Sequence, residues 1–197
     1  MRATAWAVAW AMAAAVAAGC GSGGGPAGGG GKGGGAGTPA PEGVVLKDAT
    51  VADLENFLKE NKTFVVLYEF WSVGDPDAAK RIADADTYYL TNKGYGLRSV
   101  SVCVDGPGKR AEAEKVLQEQ KVMFPNFLLA DKAAAGLAEK YGFTGQTPHR
   151  AVFARSGDRV WKTGDPLPEN TGPKGKVETS ELRKFQGMIF IELDKTK

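Results

Sequence analysis

From residue 43 onward the apolar positions change period several times, and each change marks an element. Residues 43–47 form a short apolar run that predicts an edge strand. In Val51–Glu60 the side chains Leu54, Phe57 and Leu58 recur at helical spacing behind Val51, which predicts an amphipathic helix with Thr50 as its cap. Residues 63–71 are almost continuously β-branched or aromatic, the pattern of a strand buried on both faces. Residues 72–76 interrupt it. Asp75 at a cap position and Pro76 in the first helical position predict the start of a second helix, whose face carries Ala78, Ile82, Ala85 and Tyr89. Gly94 and Gly96 end it.

A third strand is expected over 97–104, then a turn over 105–108 and a polar helix over 109–120 carrying Ala113, Val116 and Leu117. A short apolar stretch, 122–129, precedes a short helix expected over 132–141. Residues 150–155, the turn Ser156-Gly157-Asp158, and 159–162 read as a terminal hairpin. Leu182, Phe185, Ile189 and Leu193 mark a closing helix over 179–193, with Thr179 or Ser180 as its cap. Strands alternating with helices in this order imply a mixed sheet covered on both faces.

The first forty residues follow another rule. Arg2 is the only charge before Lys32, and an Ala-rich apolar run leads from it to Ala17-Ala18-Gly19-Cys20. The run is shorter than the ~20 residues a membrane span needs. It reads as an export signal, residues 1–19, with small residues at the cleavage site. With a cysteine directly after them, the segment resembles a bacterial lipoprotein signal. That resemblance implies a diacylglycerol-modified Cys20 as the mature N-terminus, anchoring in a bilayer, and a periplasm-facing place in the cell envelope. Gly21 stands where such lipoproteins carry an Asp for inner-membrane retention, so the outer membrane is open to it. Residues 20–41 contain 12 glycines and no aromatic, too little apolar surface to offset the entropy of ordering. A flexible tether of about 25 Å is expected there. Its glycine run lacks the Lys-Ser/Thr of a phosphate loop, since Gly33 follows Lys32. Residues 42–197 are left as the folded domain.

Composition narrows the function by exclusion. Twenty-five basic residues against 23 acidic ones leave a formal charge of +2, which argues against a nucleic-acid binder held by a basic surface. Two cysteines, Cys20 and Cys103, make neither a disulfide scaffold nor a four-thiolate zinc site. His149 is the only histidine, and no cofactor is implied.

Three segments then carry a resemblance to the thioredoxin fold, in its TlpA/ResA, redoxin-like branch. They are the apolar strand ending in Phe70-Trp71 just before Pro76, the segment 140–148 ending in Gly145-Gln146-Thr147-Pro148, and the hairpin turn at 156–158. The resemblance covers residues 44–161 and implies an α/β protein: a three-layer αβα sandwich with a central mixed sheet and a terminal hairpin. It further implies that residues 122–138 are that branch's insert, that Pro148 is cis, and that Thr147, Pro148 and His149 form a surface facing the redox motif. Family members hold an extended peptide beside that proline.

The chain departs from the family at the motif itself. Aligned on Pro76, Gly74 and Asp77 occupy the two cysteine positions, with Asp75 between them and the loop one residue shorter. Disulfide exchange needs a thiolate nucleophile and a second thiol to resolve the mixed disulfide, and neither Gly nor Asp supplies one. Cys103, in an apolar strand, is expected to be an inert core residue, although a reactive thiol at a strand end stays open. His149 with Asp75 and Asp77 makes a chemically legal but weak metal set, and no metal is expected. Trp71 reads as packing or as one wall of a binding surface. Two functions follow. One is a redox-inactive envelope lipoprotein binding a protein or peptide partner near the missing thiols. The other is a thiol-disulfide oxidoreductase or antioxidant protein that uses Cys103 or a partner's thiol.

Overall fold

A computed structural model describes residues 44–167 and 181–195 of the 197, all within the unit Pro41–Lys197. Cys20, the signal, the tether, and Thr179 and Ser180 lie outside the described residues. Six strands form one sheet: β1 (Leu46–Ala49), β2 (Val65–Trp71), β3 (Leu97–Cys103), β4 (Asn126–Leu129), β5 (His149–Phe153) and β6 (Arg159–Lys162). The helices are α1 (Val51–Glu60), α2 (Ala78–Asn92), α3 (Arg110–Gln120) and α4 (Glu181–Asp194). The spatial order is β1-β4-β3-β2-β5-β6, with β1, β4, β3 and β2 parallel and the hairpin β5–β6 added antiparallel.

Chain order explains the layers. The β1–α1–β2 connection moves across the sheet in one direction, whereas β2–α2–β3 and β3–α3–β4 step back in the other. Right-handed crossovers therefore put α1 on one face and α2 and α3 on the opposite face. All seven residues of β2 are buried, and the period of two divides them. Val66, Tyr68 and Phe70 join Leu54 and Leu58 of α1 in one core. Trp71 packs with Ala78, Ile82, Ala113 and Leu117 of α2 and α3. Val65 and Leu67 meet Phe185, Met188 and Ile189 of α4. Tyr68 anchors the first core. Its hydroxyl donates to the Leu54 carbonyl at 2.7 Å, and its ring lies 4.9 Å from that of Tyr141 and 5.6 Å from that of Phe153.

Helix α1 has the expected bounds. Thr50 and Asp53 cap it reciprocally, the Asp53 carboxylate accepting from Thr50 N–H at 2.8 Å. Three expectations shift. The edge strand begins at Leu46 rather than Gly43, because its register with β4 starts at Leu46↔Asn126. The apolar stretch before Asp131 becomes a true strand, β4, between β1 and β3. The helix expected over 132–141 reduces to one wide turn, Leu137–Tyr141. Asp131 Oδ1 accepts from Ala133 N–H at 2.8 Å and tightens the chain there, and Gly136 at φ 92° breaks the helical path. Gly142 closes the turn at φ 68°, a left-handed conformation that favours glycine, and a Cβ there would also have to displace the Lys162 side chain, whose Cδ would lie 2.1 Å away. Among the described residues no helix is long and apolar enough to cross a membrane.

Candidate functional site

The C-terminal ends of β2 and β3 lie side by side because their parallel register ends at Trp71↔Cys103. Ser72 and Asp105 leave those two ends as neighbours. Ser72 Oγ donates to Asp105 Oδ1 at 2.7 Å, and Val73 N–H donates to Asp105 Oδ2 at 2.7 Å. Gly74 N–H donates back to Ser72 Oγ at 3.1 Å. The shortened loop is thus closed by a carboxylate from the next strand.

Asp75 does not cap α2, as its position suggested. Its Oδ2 accepts from Ser72 N–H at 3.2 Å and its Oδ1 accepts from Thr147 Oγ1 at 2.9 Å, while residues 76 and 77 make a turn. Helix α2 therefore starts at Ala78, with Asp77 at the cap position and no side-chain cap bond. Gly74, Pro76 and Asp77 are exposed.

The antiparallel register Phe70↔His149 brings residues 147 and 148 alongside the end of β2. The Thr147–Pro148 peptide is cis, and both residues are half-buried. Among the described residues, the main chain of residues 144–147 makes no hydrogen bond. Asp75 thus joins two loops into one face: residues 72–77 on one side and a bent backbone, with Gly145 at φ 89°, on the other.

His149 is not on that face. Strand alternation sends it inward, where it is 6% exposed between the rings of Phe70 and Phe143, with Nε2 2.9 Å from the Tyr141 carbonyl oxygen. Burial holds its pKa below the ordinary imidazole value, against the raising effect of that carbonyl. It has no access to Asp75 or Asp77, and no cluster of three metal-ligating side chains occurs among the described residues. Trp71 is likewise no wall of a binding surface. It is fully buried against Leu46, Ala78 and Ile82, and its indole N–H has no partner among the described residues.

Cys103 is the free cysteine of the described residues and is fully buried. Its Sγ lies 3.6 Å from Asp105 Oδ2. Burial pushes the thiol up to about 12, with the Asp105 carboxylate adding to the rise and the Asp105 N–H opposing it. Neither Gly74 nor Asp77 supplies sulfur, so the site holds no thiol pair and one thiol that stays protonated.

Sequence reasoning missed Asp105, whose only signal was its place directly after a strand end. It also missed Glu69. This carboxylate faces the α2/α4 side of β2, is 1% exposed, and is bonded to Arg150 Nε. Burial raises its pKa, with Arg150 opposing.

Three solved structures are similar to this chain. A thioredoxin-type protein of Neisseria meningitidis superposes with a TM-score of 0.53 at 11% identity, over 71% of this chain and 81% of that one. A DsbE-type thiol:disulfide interchange protein of Chlorobium tepidum gives 0.51 at 17% identity, over 69% and 84%. The fold is the thioredoxin fold. The thioredoxin domain of a Bacteroides vulgatus thiol-disulfide oxidoreductase gives 0.47 at 24% identity, over 54% and 74%. No sequence-family model matches the chain, and no curated protein matches it. This chain has the thioredoxin sheet order and cis proline without the C-x-x-C cysteine pair.

Proposed function

We propose that this protein is a lipid-anchored, redox-inactive binding module of the bacterial envelope. It holds an extended segment of a partner protein along residues 72–77 and the backbone before Pro148. The observation that carries this reading is the 2.9 Å bond from Thr147 to Asp75, which keeps the two loops together where a thiol pair would otherwise be. The main-chain groups of residues 144–147, which have no partner among the described residues, are free to bond a bound segment. A photo-crosslinking side chain at exposed Gln146 is expected to trap a partner in intact cells, and one at exposed Glu119 is not. Equal trapping at both positions, or none at Gln146, would refute the reading.

The anchor rests on the sequence of the first twenty residues. Several acyl chains give stable membrane attachment where a single chain gives only marginal binding. Cys20→Ser is expected to move the protein from the detergent phase to the aqueous phase and to remove the lipid mass. Unchanged partitioning and mass would leave an ordinary export signal.

A further inference from the structure

The loop after α2 and the end of α4 meet at one pole of the sheet. Arg155 joins them: one nitrogen of its guanidinium donates to the Tyr95 carbonyl at 3.1 Å and to the Leu193 carbonyl at 3.4 Å. Phe190, one turn before Leu193, and Asn92, next to Lys93, line one cleft of about 140 Å³ between α2 and α4. Large apolar side chains face water here. Tyr95 is 64% exposed, Phe190 is 53% exposed, and Ile191 is exposed beside it.

The cations among them turn to rings and carbonyls rather than to carboxylates. Lys93 Nζ lies 5.7 Å from the centroid of the Tyr89 ring, and Arg98 Cζ lies 3.7 Å from that of Phe64 while its guanidinium donates to the Leu97 carbonyl at 3.0 Å. Of the nearby carboxylates, Glu192 pairs with Lys195, and Asp194 stands at the end of α4. Asp158 accepts from Ser156 Oγ and lines a cavity with Glu55 of α1, on the other face of the sheet. Lys93, Arg98, Arg155 and Lys195 thus outnumber the carboxylates of this face. Exposed aromatic and aliphatic side chains set among Lys and Arg match the boundary of a bilayer, where cations meet lipid phosphates and apolar tips reach the acyl chains.

This pole has a fixed relation to the loop 72–77. Val65 N–H donates to the Gly96 carbonyl at 3.0 Å, so the pole lies at the start of β2. The strand then carries the chain about 20 Å onward to Trp71. The 23 residues between Cys20 and Val44 span up to about 80 Å. A lipid on Cys20 therefore confines the domain to the membrane without orienting it, and a surface contact is needed for that.

We propose that the face made by Lys93, Tyr95, Arg98, Arg155, Phe190 and Ile191 rests on an anionic bilayer and turns the loop 72–77 away from the membrane, toward a partner. This rests on the anchor at Cys20 and adds the orientation of the domain. The cations bind lipid phosphates, and Tyr95 and Phe190 enter the headgroup boundary.

The lipidated full chain, purified from the membranes of expressing bacteria, tests it in vesicles of phosphatidylcholine alone or mixed with phosphatidylglycerol. A fluorescent probe is placed on Gly94→Cys or on Gly108→Cys. Both glycines are exposed, and an added Cβ meets nothing within 4 Å at either. Gly108 follows β3 at the opposite pole, and buried Cys103 stays unlabelled. Quenching by a lipid with a nitroxide headgroup is expected to be several-fold stronger at Gly94→Cys than at Gly108→Cys on the mixed vesicles. The margin should disappear at high salt and on phosphatidylcholine alone. Lys93→Glu with Phe190→Ser should remove it too. Both side chains are exposed, so the fold should survive, as an unchanged circular dichroism spectrum would show. Equal quenching at the two positions on mixed vesicles, or a margin that survives Lys93→Glu with Phe190→Ser, overturns the orientation and leaves an anchored domain. A margin of the same size on phosphatidylcholine alone overturns the role of anionic lipid. Failure of the unlabelled chain to float with either kind of vesicle overturns the anchor, and the orientation with it.

Discussion

Arg150→Ala is expected to destabilise the fold by about 3–5 kcal/mol, because it leaves the Glu69 carboxylate buried without its cation. Glu69 sits in the fully buried strand β2, and Arg150 is its partner from β5 across the antiparallel register Glu69↔Arg150. The guanidinium also lies over the Phe185 ring, 5.1 Å from its centroid, so the same side chain ties β5 to α4. Its other neighbours, Arg81 and Asp84 of α2, act on Glu69 with opposite signs. The direction of the Glu69 shift sets the pH dependence. A carboxyl whose pKa is higher folded than unfolded binds more protons in the native state, so stability falls as pH rises above the unfolded value of about 4.3. Removing Arg150 removes the main opposition to that rise. The deficit of Arg150→Ala should therefore be small near pH 5 and large near pH 8. Glu69→Gln with Arg150→Met should recover most of it, since an uncharged pair of similar volume leaves no buried charge. Urea unfolding of the full chain at both pH values reads all three results. A loss below about 1 kcal/mol at pH 8 would mean that water reaches Glu69.

The second large effect is on thiol chemistry. Cys103 should react with an alkylating probe at neutral pH roughly a thousandfold more slowly than a free cysteine, whose pKa is about 8.5, because its thiolate is correspondingly scarcer. In insulin reduction with dithiothreitol the protein should give no turnover beyond that of Cys103→Ala. Among the described residues a mixed disulfide at Cys103 has no second thiol to resolve it, and Cys20 carries lipid in the proposed mature protein. Fast labelling in the folded state, with turnover that Cys103→Ala abolishes, would restore the oxidoreductase reading. Raising the pH adds a further check. The unfolded chain loses the Cys103 proton near its ordinary value, whereas the folded chain keeps it to about 12, so the thiol withdraws stability across that window.

The chemistry missing at the motif and the buried state of Cys103 have different origins in the chain. Gly74 and Asp77 announce the missing thiols by identity alone, since no folding turns a glycine or a carboxylate into a nucleophilic sulfur. The burial of Cys103 was legible from the apolar residues on either side of it. The direction of its pKa shift follows from burial, but the nearness of Asp105 needed the coordinates.

Local pattern sufficed for the central elements. An uninterrupted β-branched and aromatic run has few ways to bury itself other than as the inner strand β2, and the stripe of Leu54, Phe57 and Leu58 with Thr50 before it makes a capped helix without help from elsewhere. These preferences act over three or four residues, so sequence alone determines them. It also determined the strand–helix order that permits a thioredoxin-type sheet, and the absence of a thiol pair from it. Contacts across long separations were decided only in the tertiary structure. Asp75 looked like a helix cap because caps are local, yet its carboxylate bonds to Thr147, 72 positions away. His149 looked available to Asp75 and Asp77 because Pro148 precedes it, yet strand alternation turns it toward the Tyr141 carbonyl. Trp71 read as packing or as one wall of a binding surface, and α2 and α3 closing over it decide for packing. The pairing of Glu69 with Arg150 depends on β5 lying antiparallel beside β2 in one register, and no local preference specifies which of two faces a lone carboxylate in an apolar strand will enter.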